Sequence, residues 1–172
     1  GAYYGFFALY MRDLDYSGQQ TGIFIALGVL AEVGIFLIAR RLISQFGVWN
    51  LLFVSIALTG LRWYVMAAFA DTFMVIVLSQ LIHALSFGLT HAVSVHFIHQ
   101  YLPSSFHSRG QAIYISVAFG FGGALGNYMA GQQWQQGTNA FETFTTAAIF
   151  AAVGALSLLL CAKKAFDEQK NT

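Results

Sequence analysis

Long, nearly uncharged apolar runs are the feature of this sequence that most restricts its fold. The stretch Gly18–Ala39 contains one charged residue, Glu32, and the stretch Asn50–Ala70 also contains one, Arg62. About 20 consecutive apolar residues in a helix are enough to cross the hydrocarbon core of a bilayer. Only 9% of the 172 residues are charged and 58% are hydrophobic, whereas about 25% of residues are charged in soluble domains. We therefore expect an all-α, polytopic protein that spans the lipid bilayer.

Six segments are predicted to span the membrane, and the first of them is too short to do so alone. A helix of its length would extend about 18 Å, whereas the hydrocarbon core is about 30 Å thick. This segment has no initiating Met and no basic residue near its start, so we interpret it as the end of a longer helix in a chain that has lost its N-terminal part. The predicted spans are Gly1–Arg12, Gly18–Ala39, Asn50–Ala70, Phe73–Tyr101, Gly110–Gln132 and Thr143–Ala162.

The charged residues between the predicted spans separate by sign. Because Lys and Arg concentrate in cytoplasmic loops, the loops that carry them are predicted to face the cytoplasm. This places the C-terminus inside, with residues 1–165 forming the helix bundle and residues 166–172 forming a cytoplasmic tail. Arg12 is the exception to the pattern. The predicted cytoplasmic side carries Arg40, Arg41, Arg109, Lys163 and Lys164, and the opposite side carries Asp13, Asp15, Asp71 and Glu142.

Glu32 and Arg62 lie near the middle of two consecutive predicted spans. An ionisable side chain at that depth costs about 2.5–3.5 kcal/mol on insertion scales, so it normally faces a protein interior or a water-filled cavity. The pair therefore predicts a buried charge network, and a purely structural ion pair between helices is the alternative. At 1.5 Å per residue, Arg62 and His83 lie at similar depths and Glu32 lies somewhat deeper. Both a direct contact of Glu32 with Arg62 and a water-bridged cluster of all three fit this estimate.

The fourth predicted span carries a stripe of polar side chains. With 100° per residue, five of them fall within about 100° of one another on the helix surface. Such a stripe gains little from lipid and should face another helix or a cavity. Gln80 and His91 lie to one side of it, and a neutral histidine that bonds a neighbouring helix is the alternative role for His83. The stripe consists of Ser79, His83, Ser86, Thr90 and Ser94.

Other classes of function have little support in the sequence. His96 and His99 have i, i+3 spacing, but no carboxylate or Cys shares their face, and zinc requires three or four ligands. We therefore expect no metal and no other cofactor. The formal net charge of +1 comes without a basic stripe, so nucleic-acid binding is not expected. Ser86 lies one turn from His83 on the same predicted helix, which is a poor arrangement for nucleophilic attack, so the chain is not expected to be an enzyme.

A resemblance to a known family rests on motifs in five of the predicted spans. In this order they resemble the C-terminal half of a major facilitator superfamily transporter, and within it the 3-phenylpropionate permease group. The resemblance implies half of that fold, with the N-terminal half of the same transporter absent, in a bacterial inner membrane. The motifs are Ala2-Tyr-Tyr-Gly-Phe6, Leu27-Gly-Val-Leu-Ala-Glu-Val33, Arg62-Trp63, Gln80-Leu-Ile-His83 and Gln111-Ala-Ile-Tyr114.

The resemblance also implies a function and roles for individual residues. It implies proton-coupled uptake of a small organic solute, with an aromatic carboxylate as substrate and a sugar or nucleoside as the alternative. A structural or receptor-like membrane domain is a further alternative. In related lactose permease-like symporters an acid follows the histidine by three residues, but this chain has Ser86 there, so Glu32 or the missing half would take that role. The implied proton-coupling residues are Glu32 and His83, and the implied substrate-binding residues are Arg62, His83, Tyr3, Tyr4, Gln80, Ser86 and Thr90.

Overall fold

The computed structural model describes the backbone of residues 2–161 and 163–167, and the side chains of residues 5–161, 163, 165 and 166. This described part of the chain is helical and contains no β-strand, which confirms the predicted all-α class. Short 3₁₀ turns at Ser104–Phe106 and Gln135–Gly137 connect longer helices. The helices are α1 (Ala2–Asp13), α2 (Gly18–Phe46), α3 (Val48–Phe69), α4 (Phe73–Tyr101), α5 (which runs without a break from His107 to Trp134), α6 (Ala140–Leu159) and α7 (Lys164–Asp167).

Four helices in the described part of the chain are long and apolar enough to cross a membrane, namely α2, α3, α4 and α6. Helix α1 has 12 residues, which is fewer than a bilayer requires. Helix α5 is long enough, but its glycines and its polar side chains lower its mean hydropathy. Composition and length therefore support four of the six predicted spans.

A capping box sets the beginning of α2, the helix that bears Glu32. The Ser17 hydroxyl oxygen accepts a hydrogen bond from the Gln20 backbone N–H at 3.2 Å, and Gln20 Oε1 accepts one from the Ser17 backbone N–H at 2.9 Å. Such reciprocal bonds satisfy two of the N–H groups that a helix start leaves without a partner. At its other end α2 continues past the predicted boundary at Ala39 to Phe46, because the exposed Arg40 and Arg41 are good helix formers.

Two apolar clusters hold the helices together, and a layer of buried polar side chains lies between them. The first cluster joins α1 and the start of α6 to the end of α3, and the second joins the end of α2 to the start of α3 and the middle of α4. The first includes Phe7, Met11, Phe24, Met66 and Phe144, and the second includes Ile35, Leu51, Leu52, Leu89 and Val93. The buried polar side chains between them are Ser55, Arg62, Ser79, Gln80, His83 and Ser86. The interior is therefore polar where the sequence predicted a charge network.

Two helices contain a π-helical segment, at Ala84–Gly88 in α4 and at Ser116–Phe121 in α5. The two segments meet through Phe87 and Phe119, whose ring centroids lie 5.6 Å apart in an edge-to-face arrangement. A π turn holds more residues than an α turn, so it shifts the faces on which the following side chains lie. Single-turn π segments are found mostly at functional sites, and both of these border the cavity described below.

The C-terminal end of the described chain packs back onto the bundle. Phe166 of α7 lies against Phe97 of α4, with ring centroids 5.0 Å apart. Residues 168–172 of the predicted tail lie outside the described residues.

Candidate functional site

Helices α2, α3 and α4 bring Glu32, Arg62 and His83 into one cluster. His83 Nε2 lies 3.0 Å from Glu32 Oε1, the distance of a hydrogen bond in which an imidazole N–H donates to the carboxylate oxygen. Arg62 is 3% exposed, and its guanidinium acts electrostatically on both the Glu32 carboxylate and the His83 imidazole. The sequence left open a direct contact of Glu32 with Arg62 or a water-bridged cluster of all three residues, and one direct contact within this cluster joins Glu32 to His83.

Two glycines allow α2 and α4 to approach closely around this contact. A Cβ atom on Gly28 would lie 3.3 Å from Gln80 Oε1, and one on Gly88 would lie 3.2 Å from Glu32 Cγ. Small residues at a helix interface let the two backbones come together in this way. As a result the side chain of Gln80 on α4 is fully buried against α2. Glu32 on α2 lies on the side of His83 that faces away from the cavity.

An aromatic stack positions the Arg62 side chain. The central carbon of its guanidinium lies 4.1 Å from the centroid of the neighbouring Trp63 ring. Trp63 in turn stacks on Phe144 of α6, with centroids 5.3 Å apart and planes 13° apart. A planar guanidinium stacks well on an aromatic face. The stack therefore fixes the position of the guanidinium in the protein interior.

A cavity of about 610 Å³ lies beside this cluster, and side chains from α3, α4, α5 and α6 line it. Its volume falls within the range of about 300–1,000 Å³ that small-molecule sites occupy. Four of the residues that the resemblance assigned to substrate binding line it, namely Arg62, His83, Ser86 and Thr90. Aromatic rings form much of the remaining wall, including Trp63, Phe87, Tyr114, Phe119 and Phe150.

Other predicted site residues lie elsewhere. Ser79 is 2% exposed and, like Gln80 and Glu32, does not line the cavity. The side chains of Tyr3 and Tyr4 lie outside the described part of the structure, which includes only their backbone in α1.

The hydroxyl groups of the predicted stripe also connect α4 to α3. Thr90 Oγ1 donates to Ser55 Oγ at 2.8 Å, which links the two helices directly. Ser86 Oγ donates to the backbone carbonyl of His83 at 3.2 Å. These bonds satisfy polar groups that would be costly to bury without a partner. The hydroxyls therefore support the helix pair that presents Arg62 and His83 to the cavity.

Sequence reasoning assigned no role to His91 and Tyr114, although both line the cavity. His91 Nδ1 lies 3.3 Å from the Tyr114 hydroxyl oxygen, and the two rings stack with centroids 5.7 Å apart. Their signals were present in the sequence, since His91 lies beside the stripe and Tyr114 ends the Gln111–Tyr114 motif. The π segment in α4 precedes His91 and shifts the face on which it lies, so uniform rotation of 100° per residue did not bring it to the cavity.

No group of three or more His, Cys, Asp or Glu residues within the described ranges is arranged to hold a metal ion. His99 and His107 stack on each other, with ring centroids 4.3 Å apart and planes 7° apart. The Nε2 atom of each ring also has a partner, since His99 contacts the side-chain amide of Gln111 and His107 contacts the backbone carbonyl oxygen of Leu102.

Comparison with known proteins gives one family and two relatives. Residues 1–146 match the model of a family described as "MFS_1 like family". The chain is 33% identical over 134 residues to a "Probable 3-phenylpropionic acid transporter" of Escherichia coli (strain K12), an alignment that covers 78% of this chain and 35% of that protein. It is 28% identical over 165 residues to a "Maltose permease" of Geobacillus stearothermophilus, covering 92% of this chain and 40% of the relative.

The chain therefore spans well under half the length of these curated relatives. No solved structure matches it significantly. The family match extends over most of the chain, including the three helices that bear Glu32, Arg62 and His83, and both relatives are named as a transporter or permease. Together with its four long apolar helices, these matches show that the chain is an integral membrane protein that belongs to the MFS_1-like family of the major facilitator superfamily.

Proposed function

We propose that this chain forms the C-terminal half of a proton-coupled secondary transporter. In this proposal α1 to α6 are six spans, and both ends of the bundle face the cytoplasm across a bacterial inner membrane. Transporters of this superfamily hold their substrate near the midplane between two halves and expose it alternately to each side. The proposed partner is therefore the N-terminal half of the same transporter, and the cavity described above is one wall of the substrate path.

The contact between His83 and Glu32 is the observation that carries proton coupling. His83 lines the cavity while Glu32 lies behind it at hydrogen-bond distance. We infer that a small rotation of the His83 ring lets a proton pass between the cavity and the Glu32 carboxylate without leaving the protein. Arg62 acts on both groups, so a substrate anion that neutralises Arg62 changes how strongly they hold the proton. This arrangement supports coupling between anion binding and protonation.

The chemistry of the cavity wall supports an aromatic carboxylate as substrate. Arg62 offers a guanidinium, whose planar fork matches a carboxylate. Trp63, Phe87 and Phe119 offer ring faces and edges in the same cavity, and aromatic pairs in offset or edge-to-face geometry are favourable. A relative is named as a 3-phenylpropionic acid transporter, which makes 3-phenylpropionate the first compound to test.

Substitution of Arg62 by Lys tests this substrate class. Lysine keeps the charge but loses the two-pronged geometry, and hydrogen bonds to charged groups contribute about 1.5–3 kcal/mol. We expect the intact transporter with Arg62→Lys to bind 3-phenylpropionate at least about tenfold more weakly. Binding of its neutral amide should change much less. Equal losses for the acid and the amide would contradict a carboxylate contact at Arg62.

Proton symport of a sugar is a second candidate, because neutral polar groups also line the cavity. Thr59, Thr90 and Asn127 offer hydroxyl and amide groups, which suit the hydroxyls of a sugar, and one relative is named as a maltose permease. Direct binding separates the candidates, since the intact transporter should bind only one of labelled 3-phenylpropionate and labelled maltose. A structural or receptor-like domain would accumulate neither compound in vesicles that carry a proton gradient.

A further inference from the structure

An apolar groove runs along the outer face of α3 and α6. It has a volume of about 650 Å³, and almost all of the surface that lines it is apolar. Ala57, Gly60 and Ala152 form part of the floor, while Leu61 and Leu156 stand at its edges as exposed side chains. The groove is separate from the polar cavity, because the two use faces of α3 that lie roughly 140° apart at 100° per residue.

One end of this groove carries a cation and an aromatic side chain. Lys163 Nζ donates to Asn50 Oδ1 at 3.0 Å and lies 5.4 Å from the centroid of the Trp49 ring. Trp49 stacks on Phe53, with centroids 5.6 Å apart and planes 4° apart, and Phe53 lines the groove. Trp49 and Phe53 therefore connect the ammonium group of Lys163 to the apolar groove.

The length of the groove matches one leaflet of a bilayer. From Phe53 to Tyr64 the α3 wall extends about 16 Å at 1.5 Å per residue, and half of a hydrocarbon core is about 15 Å. Trp residues concentrate at the boundary between hydrocarbon and water, which is where Trp49 and Lys163 would lie if the groove follows one leaflet. An ammonium has three donors, and Asn50 accepts from one of them, so Lys163 can also bond a phosphate oxygen.

We propose that this groove binds one acyl chain of an anionic phospholipid, whose phosphate lies against Lys163. Charge selects the lipid, because a basic residue at the membrane surface attracts anionic headgroups. The apolar floor and walls of the groove accept an alkyl chain, because an alkyl chain needs no hydrogen-bond partner. The site is independent of substrate transport, since none of its residues named here lines the polar cavity.

Lipid binding to the intact transporter in detergent tests the proposal. The protein is titrated with phosphatidylglycerol, or with phosphatidylcholine that has the same acyl chains, and bound lipids are counted by native mass spectrometry. We expect phosphatidylglycerol to bind about fivefold more tightly, as one basic residue at the surface implies. Lys163→Gln should remove this preference and leave phosphatidylcholine binding unchanged. Ala152→Phe, which fills the groove from an exposed position, should reduce the binding of both lipids at least fivefold.

Arg41→Gln is the matched control. Arg41 is exposed and basic like Lys163 but lies on α2, away from the groove, so its loss should leave the lipid preference intact. Equal effects of Arg41→Gln and Lys163→Gln would overturn the proposal, as would unchanged lipid binding by Ala152→Phe. Competition by glycerol phosphate, which has no acyl chain, would show a site for free phosphate and also overturn it. The same applies if Ala152→Phe dissociates a dimer, because a second copy would then occupy the groove.

Discussion

The imidazole of His83 lies 3.0 Å from the carboxylate of Glu32, which joins α4 to α2 in the polar layer between two apolar clusters. His83 also stacks on Phe87 of the π-helical segment, with ring centroids 5.2 Å apart and planes 10° apart. One face of this histidine is thus held by an aromatic ring and one nitrogen by an acid. These two contacts orient the imidazole ring beside the cavity.

Removal of the Glu32 carboxylate should separate accumulation from binding. In the intact transporter, Glu32→Gln keeps the size and a hydrogen-bonding group beside His83 but cannot ionise. We expect accumulation of substrate against a gradient to be lost, while exchange of labelled for unlabelled substrate in vesicles remains measurable, because exchange requires no net proton movement. Unchanged concentrative uptake would rule out Glu32 as the coupling acid.

Glu142→Gln is the matched control for this experiment. Glu142 is an exposed acid in the first turn of α6 and is not part of the buried polar layer. Its replacement should leave both accumulation and exchange close to those of the parent protein. A similar loss in both variants would indicate a general effect of removing negative charge.

The close approach of α2 and α4 at Gly28 should be intolerant of a side chain. A Cβ there would already lie 3.3 Å from Gln80 Oε1, whereas a Cβ on Gly34 of the same helix would meet nothing within 4 Å. Both substitutions to Leu improve helix propensity by nearly the same amount. Overpacking costs about 1–3 kcal/mol, so Gly28→Leu should melt at a lower temperature than Gly34→Leu in detergent. Equal melting temperatures would show that α2 and α4 do not meet at Gly28.

Cysteine labelling should identify the face of α4 that borders the cavity. In a Cys161→Ser background, single cysteines at Thr90 and His91 should react with a water-soluble thiol reagent, because both positions line the cavity and are partly exposed. Cysteines at Ser79 and Gln80 should react at least tenfold more slowly, since both positions are buried against other helices. Prior addition of substrate should protect the reactive set. Fast labelling at Ser79 together with slow labelling at His91 would place the cavity on the wrong face.

Much of the fold was predictable because hydrophobic runs and charged ends are local signals. The bounds of α4 agree with the predicted span, and Glu32, Arg62 and His83 were grouped from their mid-span positions, their depths and the family resemblance. The closeness of α2 and α4 was not predictable, because Gly28 and Gly88 lie far apart in sequence and only tertiary packing brings them against the partner helix. The π segments at Ala84–Gly88 and Ser116–Phe121 were also not predicted.

The same reason explains which site residues were missed. The family resemblance assigned Gln80 to substrate binding, but Gln80 packs toward Gly28 of α2. His91 lies beyond the π segment, where the helical rotation used for prediction no longer applies. Tyr114 belongs to a different helix, and its contact with His91 depends on how α5 packs against α4. Residue type identified the polar groups, whereas their directions required the packed structure.

A double substitution distinguishes a functional from a structural role of the buried charges. Arg62 is almost fully buried and acts electrostatically on Glu32. Removal of one partner from a buried charge pair costs about 3–5 kcal/mol, because the other charge is left uncompensated. Arg62→Ala and Glu32→Ala should therefore each lower the melting temperature of the intact transporter, and the double variant should recover most of that loss.

Transport by the double variant then decides the role of the charges. If Arg62 and Glu32 only hold α2 and α3 together, the protein without both charges should regain transport along with stability, since alanines leave no buried charge uncompensated. If Arg62 binds the substrate anion and Glu32 carries the proton, the double variant should be stable and inactive, because neither group has a replacement in the polar layer. We expect the stable, inactive protein. Melting curves and uptake measured on the same purified preparation check both halves of this expectation, and full transport by the charge-free variant would assign Arg62 and Glu32 to the scaffold.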